Sequence, residues 1–187
     1  TLDIGVDLAC SLRRLGALAD GPCTALVLTV GEEGDQTQQL IAALDEAVKT
    51  GLLDAEFLEE AAMLHDIGIF RCDAPGIQCF GTEPYIRHGI IGAEILRQEG
   101  WERHALVCER HTGTGLSKED IEQQQLPLPH QDYMPVTLEE QVVCYADKFY
   151  SKTHPGSERT VVDAMRSLEK FGWDGVRRFQ KWVDMFE

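Results

Sequence analysis

EEAAMLHDIGIF, residues 59–70, runs an amphipathic helical pattern straight into an adjacent histidine and aspartate. Glu59 to Leu64 read as the last turns of a helix, and Ile67-Gly68-Ile69 turns the chain away at once. His65 and Asp66 at that point form either a hydrogen bond satisfied locally or half of a metal site. The choice depends on what the rest of the chain brings to them.

The pattern on both sides of this stretch is helical nearly throughout. Asp54 can N-cap the helix carrying AEFLEEAAML, and PYIRHGIIGAEILRQEG (84–100) has Pro at its start and Gly at its end. Residues 101–111 form another helix that ends before TGTG. Ser117 to Asp120 and Thr137 to Glu140 are capping boxes, the second opening LEEQVVCYADKFYSK. SERTVVDAMRSLEKF stops at Gly172, and GVRRFQKWVDMF starts behind Asp174. Upstream, residues 2–18 and 36–49 have helical spacing, while TALVLTV (24–30) is β-branched enough for a strand. GIFRCDAPGIQCFGTEP (68–84) is a long loop of the kind that often acts as a lid. The expected fold is all-α: one compact bundle of seven or eight helices spanning 1–187. Residues 1–54 would be its N-terminal helices, 55–152 its core and 153–187 its C-terminal helices.

Bulk properties narrow the function. A chain of 187 residues with 43% hydrophobic and 26% charged residues is an ordinary globule. No apolar run reaches membrane-spanning length, and no basic stretch precedes TALVLTV as a secretion signal requires. Six scattered cysteines without a CxxC pair read as reduced thiols of a cytoplasmic protein. Cys10, Cys108 and Cys144 fall in helical patterns as core fillers, and Cys72 and Cys79 flank the loop. The net charge of −15 repels phosphate backbones, which argues against a nucleic-acid polymer as partner. A small phosphorylated ligand would need cations supplied locally; a homodimer is left open.

His65, Asp66, His88, His111 and Asp147 each lie at a helix end or on an apolar stripe. One such histidine is ordinarily a satisfied core residue, but five such groups together point to a metal. Imidazole with carboxylate suits one or two ions of Fe, Mn, Co, Ni or Zn. With HDIG at 65–68, His88 in HGIIGAEIL, His111 closing a helix and Asp147 in YADK, residues 55–152 resemble the HD-domain superfamily of metal-dependent phosphohydrolases. The resemblance implies an all-helical fold in which His65 and Asp147 bind a first metal, His88 and His111 a second, and Asp66 both. HTGTG (111–115) is also similar to branches that cleave nucleotide polyphosphates, including bacterial diadenosine tetraphosphate hydrolases.

The implied function is hydrolysis of a small phosphorylated molecule, a nucleotide above all, with Asp66 at the metals and Lys148 or Arg110 neutralising developing charge. Two features depart from the family pattern. A further histidine is expected upstream, where counting back lands between Val30 and Gln36; this sequence has none before His65, so Glu32, Glu33, Asp35 or Gln36 would have to substitute. Ile69 stands where many relatives carry a lysine, whose part Lys148, Arg87, Arg110 or Arg71 would take. The alternative is therefore a catalytically impaired metal-binding or ligand-sensing domain, with di-iron oxygen chemistry a third. His104, His130 and His154 are assigned outlying or surface roles, and TGTG could offer backbone N–H groups to a phosphate.

Overall fold

Seven α-helices form in the computed structural model, which describes residues 51, 53–150, 152 and 159–186. They are α1 (Ala55–Leu64), α2 (His88–Gln98), α3 (Glu102–Arg110), α4 (Lys118–Gln123), α5 (Leu138–Asp147), α6 (Val161–Glu169) and α7 (Trp173–Phe186). Two two-residue strands, β1 (Asp73–Ala74) and β2 (Cys79–Phe80), are the only named strands among the described residues. The all-α expectation holds. Residues 2–18, 24–30 and 36–49, and the candidate substitutes Glu32, Glu33, Asp35 and Gln36, lie outside the described residues, as does His154.

Local chemistry sets the helix starts. Asp54 Oδ1 accepts from Phe57 N–H at 3.2 Å, and Ser117 with Asp120 forms a reciprocal capping box. Thr137 caps α5 through Glu140 N–H, but the box does not close. Glu140 instead accepts from Val136 N–H at 2.6 Å and from Arg110 Nη1 at 3.0 Å on each oxygen. Asp174, expected as a cap, lies inside the first turn of α7, which begins one residue earlier.

The 68–84 segment is not a structureless loop. A 3-10 turn over Ile67–Arg71 leads into an antiparallel hairpin pairing Asp73 with Phe80 and Ala74 with Cys79. Arg71 C=O accepts from both Thr82 and Glu83 N–H, which ties the base of the hairpin shut. Gly81 is required there, because a Cβ would lie 2.0 Å from that same carbonyl oxygen.

The larger core joins Phe57, Leu58 and Ala61 of α1, Val107 of α3, the 142–146 face of α5 and the inner faces of α6 and α7. Trp182 is buried in it and donates Nε1–H to Gln141, whereas Trp173 is exposed. A smaller cluster of Ala93, Leu96, Ala105 and Cys108 binds α2 to α3. The TGTG turn is occupied by α7: Arg178 donates to the carbonyls of Thr114 and Gly115, at 3.1 and 3.0 Å. None of the described helices is long and apolar enough to cross a membrane.

Cys108 and Cys144 are core fillers as expected, with Sγ directed to the carbonyls of Leu64 and Arg110. Burial pushes the Cys144 thiol up to about 12 and raises that of Cys108 as well, so neither forms a thiolate near neutrality. Iodoacetamide at pH 8 is expected to leave both unlabelled in native protein and to label both in urea, read by peptide mass mapping. Labelling of either native site would contradict this burial.

Candidate metal centre

Four helix ends converge on one point. His65 follows the last residue of α1, His111 follows the last residue of α3, Asp147 closes α5 and His88 opens α2. Three of these ends are C-termini, whose unpaired carbonyls carry partial negative charge and favour a cation.

The three imidazoles share one anchoring rule. Each donates its Nδ1–H to the carbonyl three residues before it: His65 to Ala62 at 2.6 Å, His88 to Tyr85 at 2.7 Å and His111 to Cys108 at 2.7 Å. A carbonyl can only accept, so the tautomer is set and each Nε2 turns inward; metal-binding histidines are oriented in this way. His88 Nε2 and His111 Nε2 stand 3.0 Å apart, both 3.4 Å from Asp66 Oδ1. The other Asp66 oxygen, Oδ2, lies 3.1 Å from His65 Nε2, which is 3.7 Å from Asp147 Oδ1. Asp66 thus divides its two oxygens between the His88–His111 side and the His65–Asp147 side.

The donor set fits a divalent ion. Among the described residues, His65 Nε2 and Asp66 Oδ1 are buried without a hydrogen-bond partner, a costly state for polar atoms unless a cation completes them. The ligand atoms of His65, Asp66 and His111 lie within 4.8 Å of one another, so these residues could hold a metal.

Burial, and after it the neighbouring His111, drives His88 down to about 4; burial also lowers His111, so both remain neutral imidazoles at physiological pH. Burial acts in the same direction on His65, but the carboxylates of Asp66 and Asp147 outweigh it and raise its pKa to about 10. Burial pushes the two aspartates upward. The charge of His65 on Asp66, and of Lys148 on Asp147, joined in both cases by Lys152, leaves them well below the ordinary carboxylate range.

The candidate cations are placed as follows. Lys148 Nζ lies 2.7 Å from Asp147 Oδ2. Arg110, expected near a phosphate, is instead paired with buried Glu140, because that carboxylate faces it across the α3–α5 contact. Arg87 is held by Glu83 and the Pro127 carbonyl, and Arg71 lies over the Phe70 ring. His104 is outside the cluster, 3.0 Å from Glu60 and against the rings of Phe57 and Trp101. His130 is exposed beside Glu122.

Two neighbours were not singled out from the sequence. Lys152 Nζ lies 2.7 Å from Asp66 Oδ2, and the Tyr85 ring packs 4.8 Å from that of His88. Lys152 stands five residues past Asp147, beyond the helix end, where a lysine reads as ordinary surface charge.

The HD-domain family profile matches residues 36–151, more than half of the chain. An uncharacterized protein of Methanocaldococcus jannaschii is 37% identical over 130 residues, 69% of this chain and 61% of that one. Two proteins named tRNA (cytidine(56)-2'-O)-methyltransferase also match. That of Picrophilus torridus is 38% identical over 52% of this chain and 25% of its own length. That of Thermoplasma volcanium is 35% identical over 60% and 30%. The chain therefore spans less than two thirds of each of these relatives. No solved structure matches significantly.

Proposed function

The chain belongs to the HD-domain superfamily of metal-dependent phosphohydrolases, and from that membership we propose that it hydrolyses a phosphoester or phosphoanhydride bond of a small molecule, above all a nucleotide. The observation that carries this reading is the trio of imidazoles, each locked through Nδ1 and aimed at Asp66, whose Oδ1 has no hydrogen-bond partner. The resemblance to that family assigns the metal to His65, Asp66, His88, His111 and Asp147. A bound divalent ion supplies Lewis-acid charge and a water acidic enough to attack phosphorus near neutral pH.

The chain's own groups position that chemistry. The Nδ1 anchors fix the ring planes, and Asp66 offers one oxygen to each side of the centre. Lys148, already on Asp147, is the cation proposed to neutralise charge on the phosphoryl oxygens as water adds and the P–O bond to the leaving group breaks. Arg110, drawn off by Glu140, is assigned a different part: it holds the end of α3, and with it His111, against α5.

The methyltransferase names describe longer chains, in which the matched part is a quarter to a third of the length. A net charge of −15 disfavours RNA, so the proposed substrate is a small phosphorylated molecule, met in the cytoplasm and away from membranes. A second reading, a metal-binding or ligand-sensing domain without turnover, is favoured by one observation: no histidine precedes His65.

Elemental analysis of chelator-free protein is expected to show bound transition metal that falls in His88→Ala and His111→Ala but not in His130→Ala. Equal metal in all three variants and the parent would sink the ligand assignment. Turnover of a phosphomonoester and dinucleotide panel with Mn²⁺ or Fe²⁺ separates the two readings, since the sensor binds metal and turns over nothing.

A further inference from the structure

Lys152 addresses the same two oxygens as His65. Its Nζ lies 2.7 Å from Asp66 Oδ2 and 3.4 Å from Asp147 Oδ1, the atoms that His65 Nε2 faces at 3.1 and 3.7 Å. Lys148 covers the remaining oxygen of Asp147. On this side of the centre, two carboxylates are matched by two ammonium groups. A divalent ion entering between His65 and Asp147 would have to displace Lys152 or sit against its positive charge.

Among the described residues, the other side has no such cation. Asp66 Oδ1 is buried without a hydrogen-bond partner. His88 Nε2 and His111 Nε2 face it and each other as lone pairs, because both Nδ1–H groups are already used on carbonyls. His65 is near as well, since it, Asp66 and His111 offer ligand atoms within 4.8 Å of one another.

Resting on the reading of this cluster as a metal centre, we propose that it holds one divalent ion, ligated by Asp66, His88 and His111 with His65 in reach, and that the Lys152 ammonium takes the place of a second ion between Asp66 and Asp147. Asp147 then binds lysines rather than metal in the native protein. This also accounts for a chain that lacks the upstream histidine: a first position filled by lysine needs no further imidazole.

The test is the binding stoichiometry of Co²⁺ by the full chelator-stripped chain, measured by calorimetry and by elemental analysis after gel filtration. Native protein is expected to take up one ion. Asp147→Asn is expected to keep it. Lys152→Met, which frees both carboxylates, is expected to take up two. Two ions in native protein, loss of the ion in Asp147→Asn, or one ion in a folded Lys152→Met overturns the lysine assignment while leaving the metal centre intact. No ion in native protein overturns the metal reading itself. If circular dichroism shows Lys152→Met unfolded, the native and Asp147→Asn stoichiometries still decide.

Discussion

Asp66→Asn is expected to abolish metal binding by an otherwise folded protein. Asp66 faces all three imidazoles and Lys152: Oδ1 lies against His88 and His111, Oδ2 against His65 and Lys152. Asparagine keeps the shape but replaces one oxygen with an NH₂ that can only donate, and it removes the negative charge. If the NH₂ faces Lys152 and His65, the ammonium loses its acceptor; if it faces His88 and His111, it donates to the Nε2 lone pairs that a metal would need. Outer partners of metal ligands are commonly worth ~10–100-fold in affinity, and a charged group at the centre is expected to exceed that range. Any phosphohydrolase activity should fall with it. Elemental analysis, with circular dichroism to show the fold retained, is the check; a variant that keeps parental metal would remove Asp66 from the site.

How much of this was legible in the sequence differs by the kind of interaction. Asp54, Ser117 and Thr137 announced their helices because a cap bonds within one turn, and local bonds are written locally. The five convergent residues could be found because apolar helices give a histidine or aspartate at their ends little to do. Which partner a polar group chooses could not be read. Glu140 looked like the second half of a capping box, yet it reaches Arg110, thirty residues away in the chain, because packing α3 on α5 brings a guanidinium to a buried carboxylate. The TGTG turn also has a partner that the sequence did not announce: its carbonyls accept from Arg178, sixty-three residues beyond Gly115. The hairpin at 73–80 escaped notice because each strand is two residues long, too short for any alternation to show. Lys152 escaped for a related reason: its partners were known, but only the path of the chain past α5 brings it back over them.

Gly68→Ala is expected to damage the protein through packing alone. The Gly68 backbone angle is not in the left-handed region, so the requirement for glycine comes from close approach. A Cβ at this position would lie 2.2 Å from the His88 carbonyl oxygen and 2.4 Å from the Gly92 nitrogen. Both are backbone atoms of α2, which cannot swing aside as a side chain would. Relief must come from moving α2 away from the turn that follows Asp66. α2 is itself seated by Gly89 and Gly92: a Cβ at the first would lie 2.5 Å from the Cys108 carbonyl oxygen, and at the second 3.1 Å from the Gly68 nitrogen. Lifting α2 therefore lifts His88, and it strains the α3 end whose Cys108 carbonyl anchors His111. Overpacking of this kind costs about 1–3 kcal/mol, and rigid backbone on the far side puts Gly68→Ala at the upper end. For a chain of this size that corresponds to a fall in melting temperature of roughly 6–12 °C. Gly100→Ala is the control. Its Cβ meets nothing within 4 Å, and its φ of +82° makes the cost conformational, about 1 kcal/mol, without displacing a ligand. Metal uptake should thus be lost or weakened in Gly68→Ala at temperatures where the variant is still folded, and be unchanged in Gly100→Ala. Equal melting and equal metal content in the two variants would show that α2 and the HDIG turn do not approach as closely as these distances require.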